Sequence, residues 1–90
     1  MAAGEGCFYG LNLRPIVVGA TKRTIAVEVD GDTHLELNPV DTGFCTVSIE
    51  VPEGSQTTIY IVEWDASDNL VTSVTIGPFI PPYAVPSLIQ

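Results

Sequence analysis

The side chains that most often serve as base, nucleophile or soft metal ligand near neutral pH are scarce in this chain: one histidine, His34, and two cysteines, Cys7 and Cys45. They fall in three separate segments, whereas general-base and nucleophilic chemistry needs partners within hydrogen-bond reach of each other. His34 takes the outward phase of an alternating run, where a solvated side chain is expected. Cys7 sits in a Gly-rich lead with no strand-to-helix turn to expose it, and no Gly-x-Ser-x-Gly elbow occurs anywhere. Cys45 takes the inward phase of its run, where a thiol behaves as a small buried hydrophobe. One histidine and two distant cysteines are also too small a ligand set for structural zinc. The expectation is a non-enzymatic chain with no catalytic residue and no cofactor.

Two acidic turns are the most ligand-like clusters: Asp30-Gly31-Asp32 and Asp65-Ala66-Ser67-Asp68-Asn69. Calcium favours several loop oxygens, so Asp30, Asp32, Asp65 and Asp68 become weak calcium candidates if both turns lie at one end of the fold. The full Asp-x-Asp-x-Asp-Gly loop is absent, and hairpin turns select Asp and Asn anyway; no metal site is assigned. A pair of glycosidase carboxylates finds little room for a substrate cleft in a chain this short. Trp64 and Tyr60 invite a stacking role toward sugar or peptide, but they share the phase of Val62 and are expected in the core. Phe8 and Tyr9 precede the first expected strand and have no assigned layer.

The elements that carry these residues all read as strands. Leu11 to Leu13 alternates, Pro15 interrupts, and Ile16 to Val18 resumes, the pattern of an edge strand. Thr24 to Asp30 puts Ile25, Val27 and Val29 on one face, and the Asp30-Gly31-Asp32 turn leads into His34 to Asn38 with Leu35 and Leu37 inward. Phe44 to Val51 points Cys45, Val47, Ile49 and Val51 inward. After the Pro52-Glu53-Gly54-Ser55 turn, Thr57 to Asp65 is read with Tyr60, Val62 and Trp64 inward and Ile59 and Ile61 outward. Leu70 to Ile76 returns with Leu70, Val74 and Ile76 inward. Helical periodicity is absent at any useful length. Six to seven short antiparallel strands separated by Gly, Pro and Asp turns imply an all-β sandwich, with a small barrel as the rival.

Pro52-Glu53-Gly54 and the run from Tyr60 through Asn69 resemble the paired last strands of fibronectin type III and of bacterial or phage immunoglobulin-like modules, and Thr24 to Val29 is similar to their second strand. Val29 stands where fibronectin-type modules commonly carry tryptophan, and the Val51 to Tyr60 spacing is longer than usual. The resemblance implies an immunoglobulin-like β-sandwich of the structural-protein kind. Such modules serve as spacers, adhesion units and virion decorations alike, so the resemblance speaks to fold more than to function.

Ninety residues make one domain. Such a domain buries about 60–65% of the surface its unfolded chain exposes, so partners or cross-links would widen a narrow stability margin. A disulfide between Cys7 and Cys45 would add about 3–4 kcal/mol in the chain-entropy model. The N-terminus shows neither a basic start nor an apolar run, so cytosolic synthesis with free thiols is expected. Three basic residues against eleven carboxylates give a formal charge of −8. That balance disfavours nucleic acid, whose affinity for protein comes chiefly from Lys and Arg, and anionic membranes; no run reaches the ~18 apolar residues of a spanning helix.

Hydrophobic residues make up 46% of the chain, and Gly77 to Gln90 alone carries four prolines and six large apolar residues. The prolines keep that segment extended, and at the polyproline rise it spans about 40 Å. The organisation expected is therefore an N-terminal arm over 1–10, a sandwich over 11–76 and an extended Pro-rich arm over 77–90. Phe8, Tyr9, Phe44, Ile59, Ile61, Phe79, Ile80, Tyr83, Val85, Leu88 and Ile89 are the expected interface residues, meeting protein subunits of a larger assembly, among them further copies of the chain. The expected function is that of a structural assembly protein, most naturally a capsid decoration, head or tail component of a phage or virus-like particle. Its place is then the virion, after synthesis in host cytoplasm. The alternative is a carbohydrate- or cell-surface-binding module.

Overall fold

A computed structural model of the chain describes residues 6–82 and, at the level of the backbone, Leu88 and Ile89. The described residues form strands β1 (Gly6–Leu13), β2 (Lys22–Val29), β3 (Asp32–Leu37), β4 (Cys45–Pro52), β5 (Thr57–Trp64), β6 (Leu70–Phe79) and β7 (Leu88–Ile89), with no helix among them. Two sheets result, ordered β4-β1-β7 and β3-β2-β5-β6. All neighbours run antiparallel except β7, which pairs parallel to β1 through Leu11↔Leu88 and Asn12↔Ile89. Among the described residues no helix is long and apolar enough to cross a membrane.

The sheets face each other across one core. Leu11, Leu13, Ile49 and Val51 come from the three-stranded sheet, and Ile25, Val27, Ile59, Ile61 and Phe79 from the four-stranded one. Period-two alternation explains every contribution but that of Phe79, because every second side chain of β1, β2, β4 and β5 points the same way. The β2–β3 link is a two-residue turn in which Asp30 (φ 52°) and Gly31 (φ 88°) both take positive φ, the requirement of a tight primed hairpin. The all-β, two-sheet, sandwich-like architecture expected from the turn spacing is present. Its strand order is its own: strands 1, 4 and 7 face 2, 3, 5 and 6, whereas immunoglobulin constant-type domains group 1, 2, 4 and 5 against 3, 6 and 7.

Several expectations are corrected. The strand expected to begin at Leu11 begins at Gly6, inside the supposed N-terminal arm, and lies in the middle of its sheet between β4 and β7. Backbone pairing with Pro52 through Cys45 on β4 extends it. Ile59 and Ile61, expected outward, are core residues, while Tyr60, Val62 and Trp64 are half-buried on the outer face of β5. Both faces of β5 are apolar, and the choice is made by Thr57 and Glu63, which find polar partners inside. Leu70, expected inward, is exposed, because the ladder shifts register at Glu63/Trp64.

Gly77–Phe79, read as the start of an arm, completes β6. A second register shift pairs Ile59 with Ile76 but Thr57 with Phe79, so Phe79 swings into the core. There its ring meets Tyr9 edge-on, with centroids 5.4 Å apart and planes at 78°. Pro81 is fully buried and its carbonyl accepts the Gly54 N–H at 2.8 Å. Within the described residues, then, the start of the tail packs on its own domain. Tyr83 and Val85 lie outside the described residues, and Leu88 and Ile89 are placed only as the β7 backbone.

Candidate functional site

Arg23 and Glu63 sit directly opposite each other on β2 and β5, both facing the core. Arg23 is 1% exposed, the largest fully buried side chain among the described residues. Its Nε lies 3.9 Å from Glu63 Oε2, within ion-pair reach but without a hydrogen bond. The guanidinium spends its other donors on backbone: Nη2 donates to the Arg14 carbonyl at 2.5 Å and reaches the Thr42 carbonyl at 3.5 Å, and Nη1 points at Cys45 Sγ at 3.8 Å. Glu63 Oε1 accepts the Val17 N–H at 2.8 Å. Two opposite charges taken out of water are tolerable only when paired and bonded in this way.

The consequence is mechanical. Segments 14–21 and 38–44, which link β1 to β2 and β3 to β4, are tied to each other and to β5. Besides the Arg23 and Glu63 bonds, Ile16 N–H donates to Thr42 O at 2.9 Å and Thr21 N–H to Trp64 O at 2.7 Å. Ala20 N–H closes a turn onto Val17 O at 3.0 Å, with Gly19 at φ 97° supplying the positive φ that a type II turn needs at its third residue. Asp41 Oδ1 accepts the Gly43 N–H at 2.9 Å and shapes the second loop.

These pinned loops hold apolar side chains out in water. Val18 is 101% exposed, Val40 97% and Phe44 77%, with Val17 less so. Rigid loops that keep apolar groups solvated are preorganised to bind, since little further ordering is lost on contact. A cleft of about 380 Å³ opens beside them, lined by Thr21, Lys22, Thr24, Asn38, Pro39, Val40 and Thr42 over the buried Arg23.

The other expected site residues are dispersed. Phe8 projects from the outer face of β1 opposite Glu50, and Ile80 is exposed beyond β6, at the end of the molecule away from Arg23. Tyr9 packs against the core, and Ile59, Ile61 and Phe79 are part of it. The two acidic turns lie at opposite ends of the β2–β5 ladder, Asp30 and Asp32 beyond Val29 and Asp65 and Asp68 beyond Trp64, about 23 Å apart, so they do not converge. Each is occupied locally. Asp30 exchanges bonds with Gln56, Asp65 accepts the Ser67 and Asn69 N–H groups at 2.8 Å, and Asp68 pairs with Lys22. The Asn69 and Ser67 amides hold the Asp65 carboxyl below the usual aspartate range, outweighing partial desolvation.

His34 Nε2 is 3.1 Å from the Glu50 carbonyl, which can only accept, so this nitrogen carries the proton and ties β3 to β4. Cys7 and Cys45 are both free; they face Val51 and Leu13 at opposite ends of the β1–β4 ladder. Trp64 donates from Nε1 to Thr24 Oγ1 at 2.9 Å, with the Lys22–Asp68 ion pair alongside. Tyr60 donates to Glu28 Oε1 at 3.3 Å; desolvation, and then the Glu28 charge and this bond, raise its phenol above the usual range.

Arg23 and Glu63 were not singled out from the sequence, yet a signal was there. Arg23 shares the inward phase of Ile25 and Val27, and Glu63 that of Ile59 and Ile61, so two opposite charges sit on core phases of adjacent strands. Compared with known proteins, the chain matches no family model, no curated protein and no solved structure.

Proposed function

We propose that the chain is a non-enzymatic assembly module that docks on protein through the loop end pinned by Arg23. The observation that carries this reading is that Val18, Val40 and Phe44 stand exposed on segments tied down by part-buried and backbone hydrogen bonds. Burying such side chains at a partner yields about 1.5–3 kcal/mol each, and the preformed loops keep the ordering cost low. The setting we propose is a phage or virus-like particle, as a capsid decoration, head or tail component. Support for that setting is the resemblance of Pro52-Glu53-Gly54 and of Tyr60 to Asn69 to immunoglobulin-like structural modules, whose strand grouping differs from the one found here.

The triple variant Val18→Asp, Val40→Asp, Phe44→Ser tests the reading. Because these side chains are already in water, each change alters stability by no more than about 0.5 kcal/mol. Native mass measurement in extracts of the source organism is expected to find the wild-type chain in a discrete high-mass species and the variant released from it. Retention of the variant in that species would remove the loop end from the account.

One observation favours a carbohydrate-binding reading in second place: Trp64 faces outward, beside a cleft of about 240 Å³ shared with Lys22, Thr24 and Asp68. The polar groups there already satisfy one another, which places it behind the docking reading. A shift in Trp64 fluorescence on titration with soluble glycans would reverse that order.

A further inference from the structure

Edge strands in soluble proteins are ordinarily guarded by charge, proline, bulges or cover. In the four-stranded sheet β3 is guarded: it carries Asp32, His34 and Glu36, its ladder to β2 shifts at Val27/Glu28, and His34 bonds across to β4. The opposite edge, β6, reads LVTSVTIGPF, ten residues without one charged side chain in a chain of net charge −8. Among the described residues it pairs only with β5. Its regular stretch is Thr72–Ile76, bounded by the register shifts on either side and by Pro78, which has no N–H to offer. Within it Thr72, Val74 and Ile76 are half-buried toward the core while Ser73 and Thr75 are exposed.

We infer that β6 is a self-pairing edge, and that two copies of the chain join antiparallel through Thr72–Ile76 into one continuous eight-stranded sheet. The occupant is a second copy because the edge is self-complementary and electrostatically permitted. A two-fold axis at Val74 sets Val74 against Val74 and Thr72 against Ile76 on the core side, and Ser73 against Thr75 on the outer side, with no like charges opposed. Any closure through β3 would instead face Asp32 and Glu36 with the same residues of the partner. Main-chain bonds supply the attraction, and the half-buried Val74 and Ile76 gain cover. One short edge offers less than a standard interface, so the dimer is expected near micromolar affinity.

The inference deepens the assembly reading and rests on it for its purpose, yet its test uses the purified chain alone. Sedimentation from about 1 to 200 μM is expected to show a monomer–dimer equilibrium. Ser73→Glu with Thr75→Glu sets two like-charged pairs across the axis and is expected to weaken the dimer at least about tenfold. Ser73→Lys with Thr75→Glu creates two opposite-charge pairs in the same register and is expected to restore it. Ser73 and Thr75 are exposed, so at concentrations low enough to keep every chain monomeric an unchanged thermal transition is expected in each variant. A wild-type chain monomeric throughout the range, or a dimer indifferent to the paired charges, overturns the inference. A monomer that still enters the high-mass species through Val18, Val40 and Phe44 spares the docking reading; a β6 dimer that never enters it does the reverse.

Discussion

At the scale of single residues the molecule turns on a buried charge pair. Arg23 and Glu63 neutralise each other inside the core, and Arg23 hands its remaining donors to the Arg14 and Thr42 carbonyls. Arg23→Met leaves Glu63 buried without its cation and is expected to destabilise the fold by about 3–5 kcal/mol in urea unfolding, a large part of what a domain of this size has. Adding Glu63→Leu is expected to recover most of that loss, because well-packed apolar side chains often replace a buried pair without penalty. Full recovery of stability with loss of assembly would separate the pair's packing role from its loop-pinning role. Asp65 gives a second residue-scale expectation. Its folded pKa is depressed, so its contribution is complete above the unfolded value and is lost as pH falls through the lower, folded one. Acid titration of stability should therefore be less steep below the ordinary aspartate range in Asp65→Asn than in wild type. Tyr60 runs the other way: raised in the folded state, its contribution is complete below the unfolded phenol value and fades in alkali. The phenolate signal lost in Tyr60→Phe should titrate above the usual tyrosine midpoint, and Glu28→Gln should lower it.

At the scale of elements, β6 shows how one backbone position redirects a strand. Gly77 sits at φ 107°, and a Cβ there would lie 2.8 Å from the Thr57 carbonyl oxygen. Gly77→Ala is expected to cost about 1–3 kcal/mol by thermal or urea unfolding, more than Gly54→Ala, where φ is 89° but the space around a Cβ is open. Equal losses at the two positions would mean that the close approach to Thr57 is unimportant. The same bulge explains what the sequence conceals. Alternation located β2, β3, β4 and the turns between them, because one face of each is plainly more apolar. It misassigned β5, where Ile59 and Ile61 compete with Tyr60, Val62 and Trp64 and the outcome depends on Arg23 receiving Glu63 from another strand. It treated Gly77–Phe79 as an arm because a register shift has no signature in composition. The proposed docking end was less visible: Phe44 was named as an interface residue, but Ile16 to Val18 read as a resuming edge strand, whereas it is a loop tied by hydrogen bonds to Glu63 and Thr42.

At the scale of the whole molecule, the surplus of apolar residues is divided in two. Much of it, including Phe79 and Pro81 of the Pro-rich tail, closes the chain's own core, and β7 adds its backbone to β1. Among the described residues the exposed remainder includes Val17, Val18, Val40 and Phe44 at the loop end, Leu70 and Val71 at the start of β6, and Phe8 and Ile80 at the other end, on a chain of eight net negative charges. The proposed docking uses the loop-end part of that surface, and the proposed self-pairing uses the uncharged stretch of β6. The most direct measurement is site-specific photo-crosslinking in cells of the source organism, with the probe placed in turn at Val18, Val40, Phe44 and, as a control, Thr33 on the acidic edge. One and the same high-mass protein adduct from the three loop-end positions, and none from Thr33, is the expected result. Adducts of equal yield from all four positions, or no adduct from the loop end, would contradict the account.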